Sequence, residues 1–120
     1  MKKFLAMILA LVMVLAMVSV ASAEDAMRVA MITDYGDITD KSFNQTTYEA
    51  CKQFADANGV EFKYYKPTGD STAERVASID QAVEEGYNLI VMPGYAFGGA
   101  IVEAAPKYKD VKFVALDVSK

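Results

Sequence analysis

The sequence predicts an α/β fold with a doubly wound parallel sheet. Four short apolar runs alternate with segments of helical periodicity, in the order β-α-β-α-β-α-β. Two of the runs, residues 29–32 and 89–92, are apolar at every position, the pattern of strands covered on both faces. Each connection between runs holds a helical segment, and a chain that returns parallel to itself needs such a crossover.

The elements follow in order. Residues 1–23 have the three parts of a secretory signal: Lys2 and Lys3, an apolar stretch over 4–20, and the small-residue pattern Ala21, Ser22, Ala23, followed by Glu24 and Asp25. Cleavage after Ala23 is expected. The alternative is an uncleaved anchor, since residues 4–22 are about long enough to span a bilayer, but no basic stop-transfer cluster follows. Residues 24–120 are then one folding unit. Residues 28–33 read as the first strand. Phe43, Thr47, Ala50, Cys51, Phe54 and Ala55 recur at helical spacing; Ser42 with Gln45 fits a capping box, and Asn58 with Gly59 supplies the stop. Residues 62–65 form a weaker second strand. Val76, Ile79, Ala82 and Val83 mark a second helix, with Ser71 and Glu74 as its capping box and Gly86 as its end signal. Residues 88–92 form the third strand, 97–105 a short third helix ended near Pro106, and 111–116 the fourth strand.

Composition excludes several functions. Lys2 and Lys3 are the leader's only charges, so its removal takes the formal net charge from −4 to −6. An acidic product lacks the clustered Lys and Arg that phosphates require, so no nucleic-acid partner is expected. There is no His and only one Cys, which removes Ser-His-Asp, Cys-His, His-rich zinc and Cys-cluster chemistry from this chain, along with any intrachain disulfide. No catalytic residue and no cofactor are expected; the chain reads as a binding module. Cys51 is expected to pack in the first helix as a small apolar residue.

Ligands of such sheets bind beyond the carboxyl ends of the strands. Three loops should open there: residues 33–44, residues 93–99 and the turn at Asp117. Asp34, Asp37 and Asp40 are hard oxygen donors, but their spacing departs from the calcium-loop pattern, and no metal site is expected. Asp37 and Asp40 read as acids that cap the helix or face water. Asp34 follows a buried strand directly, where a carboxylate suits the hydroxyls of a sugar or ribose. A first-turn Phe43 is either a core staple or a ligand contact, and Asn44 beside it offers donor and acceptor alike. Aromatic, amide and acid at one edge suit a flat heterocycle with a hydroxylated arm. The glycines of the loop over residues 93–99, Gly94 first, let backbone approach a ligand but do not form G-x-G-x-x-G, so a dinucleotide site is unsupported. Lys66 to Asp70 read only as a loop.

At Thr33 and Asp34, at the run Asp40, Lys41, Ser42, Phe43, Asn44, Gln45, at residues 86–90 and at 108–117, the sequence resembles the basic membrane protein family, the nucleoside-type substrate-binding proteins of ABC transporters. The resemblance implies a periplasmic-binding-protein type I fold, Rossmann-like, whose two α/β lobes close on a ligand. Several members bind purine nucleosides. Matched motif by motif, the resemblance implies that Asp34 and Asn44 hydrogen-bond the ligand, that Phe43 stacks on the base and that Asp117 faces it. Gly94 and Tyr95 match a position near the ligand. It also implies an ABC permease as partner and a monomer in the periplasm or outside the cell, soluble after signal cleavage or held at the plasma membrane if the signal stays.

Many members carry a lipid-anchoring Cys at the signal boundary, where this sequence has Ala23 and Glu24. Members are also much longer, so the resemblance implies that residues 24–120 are a partial N-terminal lobe. Such a lobe alone is expected to be marginally stable and to bind weakly, because small-molecule sites bury most of their ligand and four parallel strands leave an edge and a face uncovered. Rival readings are a binding protein for a sugar or another small polar solute, and a ligand sensor for a membrane receptor. An exported flavodoxin-like or hydrolytic enzyme is disfavoured, since Ser42 has no His to act as base.

Overall fold

A computed structural model describes residues 26–119, and the leader expected over 1–23 lies outside them. Four strands, β1 (Arg28–Ile32), β2 (Glu61–Tyr65), β3 (Leu89–Pro93) and β4 (Lys112–Leu116), form one sheet in the order β2-β1-β3-β4, every pair parallel. The connections carry α1 (Phe43–Asn58), α2 (Thr72–Glu84) and α3 (Gly98–Ala104), the last entered through a 3-10 turn at Tyr95–Phe97. The α/β class and the element order agree with the sequence.

Side-chain alternation divides the sheet. Ala30 and Ile32 of β1 and Ile90 and Met92 of β3 face one side. There they meet Val76, Ile79 and Ala82 of α2, Phe97, and Ala100 and Ala104 of α3, in a single buried core. Val29 and Met31 point to the other side, where α1 buries Thr47, Cys51 and Ala55. Burial pushes the Cys51 thiol up to about 11, so it stays protonated and apolar at neutral pH.

Three local expectations change. Asp40, not Ser42, caps α1. The Ser42 side chain makes no capping bond, whereas the Asp40 carboxylate accepts from the backbone N–H groups of Ser42 at 2.8 Å and Gln45 at 3.0 Å. A carboxylate has two acceptor oxygens to spread over several orphan N–H groups, where a hydroxyl has one. Gln45 does reach back, but to Lys41 N–H at 2.8 Å. The third helix begins at Gly98 because the chain spends Tyr95–Phe97 turning Phe97 into the core. Finally, Leu89 and Val91 are only half-buried, since α1 lies mainly over β1 and β2, reaches β3 less, and leaves the outer part of this face open. Gly59 ends α1 at φ 62°, the left-handed conformation the sequence marks.

The order β2-β1-β3 means that the chain leaves β1 for one flank and later returns to build on the other. The loops after β1 and β3 diverge at that point and leave a crevice between them.

Ile79 lies fully buried between α2 and the sheet. Ile79→Ala should cost about 2–5 kcal/mol and shift a urea midpoint strongly, whereas Val91→Ala on the half-open face should cost clearly less. Parallel urea melts of the two variants check the difference.

Candidate functional site

A cleft of about 310 Å³ opens at the carboxyl edge of the sheet. Asp34, Tyr35, Gly36 and Phe43 line it from the β1 side, Gly94, Tyr95 and Ala96 from the β3 side, and Asp117 from the end of β4. Asp70 and Arg75 line it from the β2–α2 connection. The volume is at the lower end of small-molecule pockets.

Asp34 is held by a compact set of hydrogen bonds. Its Oδ1 accepts from Gly36 N–H at 2.9 Å and from the Asn44 side-chain amide at 2.8 Å, and its own N–H donates to Asn44 Oδ1 at 3.2 Å. The Asn44 amide also donates to Asp40 Oδ2 at 3.0 Å. A Cβ on Gly36 would stand 2.6 Å from the Asn44 amide nitrogen, so only glycine closes this turn. Asp34 Oδ2 has no protein partner among the described residues. Asn44 is buried, with both amide hydrogens engaged, and sits behind Asp34 rather than on the cleft wall. Asp37 pairs with Lys66 at 2.6 Å.

Phe43 opens α1 and is 52 % exposed, on the cleft side rather than in the core. Tyr95 across the cleft is 81 % exposed. Gly94 has φ 107° and ψ 150°, a conformation essentially confined to glycine, and its N–H donates to Leu116 O at 3.0 Å. That bond ties the β3 loop to the end of β4. Asp117 follows at φ 58°, the left-handed region that Asp tolerates better than most residues with a Cβ.

Sequence reasoning missed Asp70 and Arg75. The loop after β2 ends on the same sheet edge, so the strand-end rule covered Asp70 as well. Arg75 stands one turn before Ile79 on the buried stripe of α2, a charged residue at an apolar position, and that was its signal. It is 5 % exposed. Its Nε–H donates to Asp34 O at 2.8 Å, its Nη2 group donates to the Asp70 carboxylate, and its guanidinium lies 5.9 Å from the Phe97 ring centre. Chemically the cleft offers carboxylate acceptors, one guanidinium and exposed aromatic faces, with no nucleophile–base pair among the lining residues.

A parallel α/β lobe with such a crevice at the β1/β3 divergence defines a ligand-binding class, and comparison with known proteins names the family. Residues 27–120 match the Bmp family, described as ABC transporter substrate-binding protein PnrA-like, and the chain belongs to it. It is 33% identical over 94 residues to the CD4+ T-cell-stimulating antigen of Listeria monocytogenes, covering 74% of this chain and 26% of that protein. It is 25% identical over 95 residues to the ABC transporter nucleoside-binding protein BmpA of Lactococcus lactis, covering 76% of this chain and 26% of that one. The fold superposes on an ABC transporter solute-binding protein of Aeropyrum pernix with a TM-score of 0.69 and 27% identity, over 78% of this chain and 25% of the other. The chain thus spans about a quarter of the length of these relatives.

Some burial opposes ionisation of Asp40, but the bonds from Gln45, Ser42 and Asn44 outweigh it and hold its carboxyl below the usual carboxylate range. A carboxyl lowered by folding stabilises the fold above its unfolded value of about 4, and that contribution is lost as pH falls through the lower folded value. Stability should therefore drop on acidification below about pH 4, and Asp40→Asn should flatten this part of the profile. Urea melts across the acid range check it.

Proposed function

We propose that this chain forms one wall of the cleft of an extracytoplasmic substrate-binding protein that captures purine nucleosides for an ABC importer. The observation that carries the reading is the pairing of an exposed aromatic face, Phe43, with a carboxylate, Asp34, fixed so that one oxygen stays free. An exposed Phe beside a rigid acid suits a heterocycle that stacks while a ring N–H or a hydroxyl donates to the acid. Asp117 and the backbone at Gly94 and Tyr95 supply further contacts from the opposite side of the crevice. Asn44 serves by aiming Asp34. The nucleoside-binding name of the Lactococcus relative supports the ligand class.

On this reading residues 1–23 are an export signal and residues 24–120 a partial N-terminal lobe, and the ligand is enclosed when a second lobe closes over it. A membrane permease then reads the closed state. No chemistry is performed on the ligand.

The test is calorimetric titration of guanosine, inosine, adenosine and ribose into the product of the full reading frame that carries this chain. Nucleoside binding is expected. Phe43→Ala should weaken it about tenfold to a hundredfold, the scale of one lost aromatic–base stack, and Asp34→Ala should weaken it as well. Ribose binding without nucleoside binding would place the protein with sugar-binding proteins instead, and indifference to both variants would remove the site.

A further inference from the structure

Arg75 is a buried charge that the proposed contacts do not use, and it lies on the cleft wall. Its guanidinium is planar, with five N–H donors. The Nε–H and an Nη2–H are turned inward to Asp34 O and Asp70. The Nη1 amino group finds no protein acceptor among the described residues. Nη1 is not a buried orphan: Arg75 lines the cleft, so water answers this group until a better placed acceptor arrives there. Its anchors, both on cleft loops, prevent it from swinging away.

Resting on the nucleoside reading above, we infer that Arg75 selects the base, donating from Nη1 to a ring carbonyl oxygen while Asp34 Oδ2 accepts from the neighbouring ring N–H. The cleft thereby takes a lactam edge, as in a 6-oxopurine nucleoside. Asp34 and Arg75 are already joined through the Asp34 carbonyl, which accepts from Arg75 Nε–H at 2.8 Å, and both residues line the cleft, so one ligand edge can meet the two. Adenine in the same orientation places an acceptor nitrogen against the carboxylate and an amino group against the guanidinium. Both protein groups are then left unpaired, and a site built to hydrogen-bond a group discriminates strongly against an analogue that cannot answer. A positively charged guanidinium cannot turn acceptor to suit the amine, because it has no acceptor atom.

Inosine, adenosine and purine riboside, which lacks the C6 oxygen, are titrated by calorimetry into the full-length protein and its Arg75→Met and Arg75→Lys variants. The native protein should hold inosine at least about tenfold more tightly than either of the other two, the scale of one hydrogen bond to a charged group. Arg75→Met removes the donors while keeping much of the bulk, and the preference should collapse towards unity. Arg75→Lys, with a donor retained, should keep the direction of the preference at reduced size. Equal binding of the three nucleosides by the native protein overturns the inference whatever the variants do. So does an inosine preference that survives in Arg75→Met, or a uniform loss for all three ligands, which would make Arg75 a positioning residue alone. No binding of any nucleoside by the native protein overturns the nucleoside reading together with this one.

Discussion

β1 is hydrogen-bonded on both flanks, to β2 and to β3, and the cleft depends on that double pairing. A strand at the centre of a parallel sheet must be buried on both faces, which is why Val29, Ala30, Met31 and Ile32 are all apolar and all inaccessible. Because its neighbours are reached by connections that leave in opposite directions, nothing crosses the gap above its carboxyl end. Asp34 stands two residues past that end and inherits the rigidity of the strand below it. The backbone bond from Thr33 N–H to Tyr65 O at 2.9 Å extends the pairing beyond Ile32, so the strand is still held where the loop begins.

Asn44 transmits that rigidity to α1. One amide binds the side chain and the backbone of Asp34, and it also binds Asp40, the residue that caps the helix. Strand end, cap and helix start are therefore one hydrogen-bonded unit, and Phe43, the neighbour of Asn44, is placed by the same bonds. Three polar side chains in a partly buried cluster are costly if any is left unsatisfied. Here Asn44 uses its donors and its acceptor, and the free valence of the cluster is the single oxygen Asp34 Oδ2. A cluster that satisfies itself except at one outward atom is suited to present that atom.

Much of this was legible in the sequence. Strands and helices announced themselves through apolar runs, helical spacing and the stops at Gly59 and Gly86, and the strand-end rule brought Asp34, Phe43, Gly94, Tyr95 and Asp117 to one edge. What was not legible depended on competition between neighbours in space. Ser42 and Asp40 both suit a cap, and only the path of residues 36–42 shows that the carboxylate reaches more N–H groups. Asn44 read as a ligand contact because its inward orientation comes from the Gly36 turn. The run at 89–92 promised burial on both faces, but periodicity does not say how far a helix extends over a sheet, and α1 covers β3 only in part. Arg75 was hidden by treating α2 as scaffold, although a charge on the stripe of Ile79 needed a reason from the start.

On the proposed reading, the exposed aromatics supply that scaffold with its purpose. Phe43 and Tyr95 hold large apolar surfaces in water at the two lips of a cleft. Fully burying such a ring is worth about 1.5–3 kcal/mol, of which Phe43 forgoes part and Tyr95 most, and a fold stable by only a few times that amount has little reason to keep both on one edge by accident of packing. Neither ring has room inside: the core beneath the β3 loop is already filled by Phe97, and the first turn of α1 is tied down by Asp40 and Asn44. The same bonds that fix the polar groups therefore hold the rings outward. On the proposed reading, a flat ligand entering between them removes apolar surface from water while meeting the free oxygen of Asp34 and the cleft-lining guanidinium of Arg75, so hydrophobic and polar recognition act at one place and on one face of the molecule.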